Sequence, residues 1–473
     1  MEGGGVALEL PLGETAATFD LEKAVCSHGL FMMAPNYWDP PSKTLQRPLR
    51  LDSDDEYGNG GACSSVIARI SQPSDSPHSL RVCVFGADSL SPQQERTLMG
   101  QVRRMLRLSE TEEACVKEFQ KMHREAKERG FGRVFRSPTL FEDMVKCILL
   151  CNCQWPRTLS MARALCELQL ELQCSSFGVP VAKVGNGTKP MTETEHFVPK
   201  TPAGKESKTK KVGGKRDSTA SGSRFLETKL QIEAEDVVRM VSVETSDCLQ
   251  RTKELCPSVS SNGEEFRQCS TGISKVHSNE VCGELSCDNR IGNFPSPREL
   301  ANLDEKFLAK RCNLGYRAIR ILKLAQSIVE GKIQLRELEE VCSEPSLSNY
   351  SKLADQVKEI YGFGAFTCAN VLVCMGFYHV IPTDSETVRH VKQVHARHSS
   401  IKTIQGDVEA LYGKYAPFQF LAYWSEVWQF YEEWFGKLSE MPHSDYKLIT
   451  AANMRPKSGK SKRIKISQKK QRI

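Results

Sequence analysis

The chain has 473 residues, 40% of them hydrophobic and 26% charged, with a formal net charge of +6. These proportions are those of ordinary globular domains and exclude a wholly disordered or collagen-like chain, and the length allows two or three domains. No apolar run approaches the roughly 18–20 residues that span a bilayer, so no membrane partner is expected. The first 20 residues carry Glu2, Glu9, Glu14 and Asp20 and lack a basic-then-apolar leader, which argues against secretion. The 18 cysteines are scattered and form no Cys-x-x-Cys pair, so they read as reduced thiols. Cys147, Cys151 and Cys153 are close in sequence, but they fall at an apolar helix end and read as core.

Within an N-terminal domain of residues 1–110, residues 16–110 carry short β-like runs at Leu30–Met33, Leu45–Leu51, Ser64–Ile70 and Leu80–Phe85. A helix over Ser91–Leu108 follows, with Leu98, Val102, Met105 and Leu106 on one side. The fold class is therefore α+β, with an N-terminal antiparallel sheet domain. From residue 111 helices dominate: a charged one over Thr111–Gly130, then Ser137–Leu150 with Leu140, Met144, Ile148 and Leu149 on a core face. Residues 175–290 contain no Trp and no Tyr and are rich in Ser, Thr, Lys, Glu and Gly. Such a composition cannot bury enough apolar surface to offset ordering entropy and predicts a disordered insertion. Within it, Leu230–Val243 has the pattern of a transient helix, and Lys208–Lys211 with Lys215 and Arg216 forms a basic cluster.

The helical domain resumes over 291–440, with helices at Arg298–Ala309, Tyr316–Gly331, Leu335–Val341, Ser351–Ile360, one starting near Ala365, and Ser385–His398. A stripe over Pro417–Leu438 holds Phe418, Phe420, Tyr423, Trp424, Trp428, Phe430, Tyr431, Trp434 and Phe435, and so many aromatics at helical spacing read mainly as core. Residues 441–473 read as a disordered tail. Nine Lys or Arg and no acid fall in 455–473, which leaves the rest of the chain slightly acidic. The tail has the pattern of a nuclear localisation signal or a nonspecific DNA tether.

The segment Ile360–Val391, IYGFGAFTCANVLVCMGFYHVIPTDSETVRHV, joins two features. Gly362 and Gly364 permit a tight turn with exposed N–H groups ahead of a helix N-terminus, which suits a phosphate oxygen. Pro382 then ends any helix, Thr383 and Glu386 have capping-box spacing, and Asp384 falls in the first turn of the next helix. A Gly-x-Gly alone is usually only a turn, and a first-turn Asp is usually there for the helix dipole; their order and spacing together point further.

This arrangement resembles the helix-hairpin-helix (HhH-GPD) superfamily of DNA glycosylases, in the branch of 8-oxoguanine and 3-methyladenine glycosylases. Asn313-Leu314-Gly315-Tyr316-Arg317-Ala318 is similar to a block of the 8-oxoguanine enzymes, as are Phe294-Pro295-Ser296 and the region Arg136–Leu165 with the loop Cys151–Arg157. The matching blocks cover about 130–170 and 292–435. The resemblance implies a base-excision enzyme, a hydrolase of N-glycosyl bonds, that acts on double-stranded DNA containing a damaged base; a monomer is expected, and the basic tail points to the nucleus. It implies that Asp384 is the catalytic carboxylate, that Gly362, Phe363, Gly364 and Ala365 grip DNA, and that Asn152 and Arg157 enter the duplex. Trp155 and Phe366 stand where a wedge or base-pocket wall would be.

Bifunctional members carry a Lys where Phe366 stands, so an enzyme without strand-cleaving lyase activity is expected. Main-chain carbonyls of Lys358, Ile360 and Phe363 match those that hold a monovalent cation. The four-cysteine iron–sulfur cluster of some relatives is excluded, since no cysteine follows Cys374. A phosphate-contacting His of the 8-oxoguanine enzymes is Glu386 here, which would repel phosphate, and their N-terminal Gly-Gln-x-Phe block is only loosely echoed by Ser27–Phe31. Oxidised purine, 8-oxoguanine first, is the expected lesion. Alkylated purine is the alternative within the enzyme class, and a catalytically inactive DNA-binding protein is the alternative outside it.

Overall fold

The computed structural model describes residues 5–51, 65–176, 291–341 and 346–454. All of them belong to one compact unit; a second unit, 180–268, lies outside the described residues, as do the basic cluster at 208–216, the 230–243 segment and the tail 455–473. The architecture is α+β, an antiparallel sheet followed by helices.

The sheet contains β1 (Val6–Pro11), β2 (Tyr37–Asp39), β3 (Thr44–Arg50), β4 (Ser65–Ser71) and β5 (Ser79–Phe85) in the order β1-β5-β4-β3-β2. Strict alternation explains its inner face: Leu8 and Leu10, Val66, Ala68 and Ile70, and Leu80, Val82 and Val84 are all buried. β1 carries this period and was not read as a strand from the sequence. Leu30–Met33, read as a strand, is a short 3-10 turn over Gly29–Met32. Its four consecutive apolar residues are buried on every side, which removes the alternation a half-exposed strand needs. The short helix α1 (Leu21–Val25) precedes it, and α2 (Pro92–Leu106), capped by a Ser91–Gln94 capping box, packs on β3.

The expected helix Thr111–Gly130 is two, α3 (Glu110–Met122) and α4 (Arg124–Arg129), because the His123 ring accepts from the Ala126 N–H and restarts the helix. Next come α5 (Leu140–Leu150) and α6 (Trp155–Ser176). α5 is buried all round rather than on one face, from Leu140 to Leu149. It can be, because its charges are paired: Glu142 with Arg47 of β3 and with Lys146, and Asp143 with Arg104.

Beyond the undescribed stretch lie α7 (Pro297–Ala301), α8 (Glu305–Arg311), α9 (Arg317–Val329) and α10 (Leu335–Val341). The single helix expected over Arg298–Ala309 is split where Asp304 caps α8. α11 (Leu347–Lys358) starts earlier than the apolar spacing suggested, at the Ser346 cap. α12 (Ala365–Met375) and α13 (Ser385–His395) flank the loop to Asp384; α14 (Ile404–Tyr412), not foreseen, and α15 (Gln419–Phe435) complete the set. Order continues past residue 440: Trp155 donates to Tyr446 O at 3.0 Å, and Tyr446 and Met454 are buried. Residues 441–454, expected as part of a disordered tail, are therefore ordered, and 455–473 lie outside the described residues. None of the helices is long and apolar enough to cross a membrane, among the described residues.

Candidate active site

The hairpin between α11 and α12 is held from below by Ile360 and Phe363, both 7% exposed. Its turn closes with Phe363 N–H donating to Ile360 O at 3.0 Å. Gly362 has φ +81, and a Cβ there would meet the Arg320 side chain at 2.7 Å. Both facts require glycine, and they lay the aliphatic stem of a cation from α9 along the turn. Gly364 is the N-cap of α12 with extended backbone, and a Cβ there would meet nothing within 4 Å. The N–H groups of Gly364, Ala365 and Phe366 donate to no acceptor among the described residues. Three free donors at a helix N-terminus are a group that could take an anion. Exposed Tyr361 extends this surface, with Lys323 Nζ 3.7 Å from its ring centroid.

Pro382 precedes α13 as expected, but the cap is not Thr383. Asp384 is itself the N-cap, with φ −146, and shares a capping box with Thr387. Its Oδ1 accepts from Glu386 N–H and Thr387 N–H, each at 2.9 Å, and lies 3.2 Å from Thr387 Oγ1. Asp caps well because its carboxylate satisfies two orphan donors and faces the positive helix end. Oδ2 is left without a hydrogen-bond partner among the described residues. Burial pushes the Asp384 carboxyl above its ordinary 3.8, against the Thr387 N–H bond, and Glu386 adds to the rise. Buried Thr387 also bonds Pro382 O at 3.2 Å and Tyr423 Oη at 3.1 Å, which ties the cap to α15.

Glu386 is not the bare charge the sequence suggested. Arg389 grips its carboxylate with both Nε, at 2.8 Å, and Nη2, and Tyr431 Oη donates to it at 2.7 Å. The repulsion expected between Glu386 and phosphate is thus largely neutralised within α13.

The loop 151–157 and the Asn313–Ala318 block meet. Arg317 donates to Cys151 O and, at 3.2 Å, to Asn152 O; Tyr316 Oη donates to Cys151 O at 3.2 Å; Arg157 donates to Asn313 O at 3.1 Å. Asn152 is exposed with φ +45, so its side chain stands out of the loop, and Asn313 and Gly315 also take positive φ. Tyr316 is exposed beside it, bracketed by Arg317 and Arg320 at 4.6 and 4.8 Å from its ring centroid. Trp155 sits differently: its indole lies over Gly29 and donates to Tyr446 O at 3.0 Å, which fixes its direction. Phe366 is half-buried on the first turn of α12. The α15 aromatics are mainly core: Phe420, Tyr423, Trp428 and Phe435 are buried.

Cys147 and Cys151 are buried free thiols, and Cys151 Sγ lies 3.0 Å from Thr367 Oγ1, as core cysteines would. The carbonyls of Lys358 and Phe363 accept no hydrogen bond among the described residues, whereas Ile360 O takes one. Such free carbonyls suit a hard cation. Reading the sequence missed Thr387, Arg320 and Tyr423 as parts of the site; the Asp-x-x-Thr spacing at 384–387 was the available sign of the first.

Neither a family model nor a curated protein matches the chain. Solved structures do resemble it. They include the 3-methyladenine DNA-glycosylase from Archaeoglobus fulgidus, 14% identical over 90% of this chain and 98% of that one, TM-score 0.41. The Clostridium acetobutylicum 8-oxoguanine glycosylase/lyase bound to double-stranded DNA with cytosine opposite 8-oxoguanine is 11% identical, over 87% and 92%, TM-score 0.42. MBOgg1 in complex with a low-affinity DNA ligand is 14% identical, over 83% and 98%, TM-score 0.38. These likenesses are distant.

Proposed function

We propose that the chain is a DNA N-glycosylase that removes a damaged purine flipped out of duplex DNA. The observation that carries this is Asp384: one oxygen locked by two backbone N–H groups, the other free, in a half-buried position that raises its proton affinity. A carboxylate so fixed is preorganised to stabilise positive charge at C1′ as the glycosidic bond breaks. Asp384 then orients a water for attack on C1′ and accepts its proton; the bonding electrons leave with the base, which is protonated from solvent.

The hairpin supplies the grip on DNA, with Gly364, Ala365 and Phe366 N–H groups on a phosphate and Arg320 beside them. Asn152, Arg157 and Tyr316 form the second contact, with a side chain standing out where a flipped base leaves a gap. The Lys358, Ile360 and Phe363 carbonyls would hold a monovalent cation that adds positive charge under the same phosphate. Phe366 offers no amine, so hydrolysis without strand cleavage is proposed. The Asn313–Ala318 block favours 8-oxoguanine as the lesion, and we infer a monomer that the basic tail directs to the nucleus.

Purified protein incubated with duplexes containing 8-oxoguanine, 1,N6-ethenoadenine, 3-methyladenine or hypoxanthine tests this. Alkali-dependent strand breaks at 8-oxoguanine are expected. Breaks at an alkylated purine instead would change the lesion; breaks without alkali would overturn hydrolysis-only chemistry. DNA binding with no base release from any lesion would leave a non-catalytic DNA-binding protein.

A further inference from the structure

At the far end of α13 from Asp384, three side chains from two helices converge. His390 Nε2 and His395 Nε2 lie 2.8 and 2.6 Å from the same oxygen of Glu426, Oε1, on α15. Tyr412 Oη, from α14, is 3.2 Å from that oxygen and 3.1 Å from His395 Nε2. The candidate ligand atoms of His390, His395 and Glu426 all fall within 4.8 Å of one another. The His390 ring is fully buried and set edge-on to Tyr423 and Phe430, at 5.6 and 5.9 Å between centroids, so its direction is fixed. His395 and Glu426 keep 23% and 30% of their side-chain surface, which leaves a way in from solvent.

As a purely hydrogen-bonded cluster this is crowded. Three donors would share one carboxylate oxygen, both imidazoles would be obliged to carry a proton on Nε2, and His390 Nδ1 would remain buried without a partner. A cation resolves the crowding at Glu426, because each nitrogen then offers a lone pair to the ion. Tetrahedral bonds of about 2.0–2.1 Å place ligand atoms roughly 3.3 Å apart, so the 2.8 and 2.6 Å nitrogen–oxygen separations would open by about 0.5 and 0.7 Å, while the two imidazole nitrogens, within 4.8 Å of each other, would draw in around the ion.

We propose that His390, His395 and Glu426 form a binding site for a borderline divalent transition metal such as Zn²⁺, with Tyr412 or water in the fourth position. Two imidazoles and one carboxylate suit such an ion better than Ca²⁺ or Mg²⁺, which prefer oxygen alone. The site is structural: it clamps α13, whose other end carries Asp384, to α15. It does not depend on the proposed reaction.

The test uses the full-length protein, treated with chelator, held reduced without thiol reagents, and titrated with Co²⁺. The cysteines can also bind cobalt, but a thiolate adds a near-ultraviolet charge-transfer band that this oxygen–nitrogen site lacks. Wild type is expected to take up one Co²⁺ with visible bands and no accompanying thiolate band, and Zn²⁺ should displace it. Glu426→Gln keeps the shape of the cluster and should weaken that binding more than the about 10–100-fold typical of a supporting residue. His395→Ala, partly exposed, should do the same. Circular dichroism reports whether each variant folds. Absence of thiolate-free cobalt binding by wild type at micromolar metal would overturn the proposal without reference to any variant. Equal binding by a folded Glu426→Gln protein would also overturn it.

Discussion

Replacing Asp384 with Asn separates the two jobs that the geometry gives this side chain. As a cap, Asn is about as good as Asp, and its amide oxygen can take the Glu386 and Thr387 N–H groups that Oδ1 now accepts. Losing the charge at the helix N-terminus costs about 0.3–1 kcal/mol, but the burial that raises the Asp384 pKa also penalises its charge, and that penalty disappears. Net stability should therefore move by less than about 1 kcal/mol. As a catalyst, Asn cannot neutralise a developing cation or accept a proton from water. Removing one such preorganised electrostatic group typically costs about 10²–10³ in kcat, or 2.7–4 kcal/mol of barrier. Single-turnover base release, with DNA binding and urea unfolding measured alongside, checks this. A stable Asn variant that releases base within tenfold of wild type would refute the assignment of Asp384.

The pH profile of base release should fall on the acid side with a midpoint above 3.8, because Asp384 acts ionised and burial raises its proton affinity; a midpoint at or below 3.8 would contradict this. The same rise means that Asp384 costs stability as pH climbs from its unfolded value through its folded one, and Asp384→Asn should abolish that segment of the stability curve. Gly364→Ala has open space and an allowed backbone but puts a poorer N-cap on α12, so it should cost less than about 1 kcal/mol while it weakens DNA binding, whereas Gly362→Ala, at φ +81 and against Arg320, should lose about 1–2 kcal/mol of stability as well. Glu142, held down to about 2 by Arg47 and Lys146 against the opposing effect of burial, gives stability that is complete above about 4.5 and is lost as pH falls toward 2. Arg47→Met should leave Glu142 short of its partner and cost about 3–5 kcal/mol in urea unfolding. Removing 455–473 should reduce the salt dependence of DNA binding and leave the base-release rate of bound complex unchanged.

Much of the site was legible because local chemistry dictates it. Gly-x-Gly before an apolar helix specifies a turn with free N–H groups almost without regard to tertiary context, and Pro-x-Asp marks the start of the next helix, although the spacing pointed to Thr383 rather than Asp384 as its cap. The alternating strands β4 and β5 were legible for the same reason. What escaped depends on partners distant in sequence. Glu386 reads as a repulsive charge until Arg389 and Tyr431 are seen to hold it. Trp155 reads as a stacking wedge until Tyr446, nearly 300 residues later, is seen to bind its indole. α5 reads as one-sided because Glu142, Asp143 and Lys146 interrupt its apolar pattern, and only pairing with Arg47 and Arg104 permits their burial. The cap at Asp384 was displaced by one residue for a subtler reason: Thr383 and Asp384 are both good caps, and the bond from Thr387 to Pro382 O selects the second.

That selection decides what the carboxylate can do. Had Thr383 been the cap, Asp384 would lie inside the first turn, with both oxygens free to rotate into solvent and no fixed direction. As the cap, it spends one oxygen on two N–H groups and thereby aims the other. The Thr387–Tyr423 hydrogen bond at 3.1 Å extends the constraint into the packed face of α15, where Tyr423 is 4% exposed. Tyr423→Phe removes that hydroxyl and should cost about 1 kcal/mol of stability. If the aim of Asp384 matters, base release should fall further than stability alone would explain, with kcat reduced and KM little changed. Tyr423→Phe activity that merely tracks the folded fraction across temperature would show that the cap needs no buttress and that the capping box alone holds the carboxylate in place.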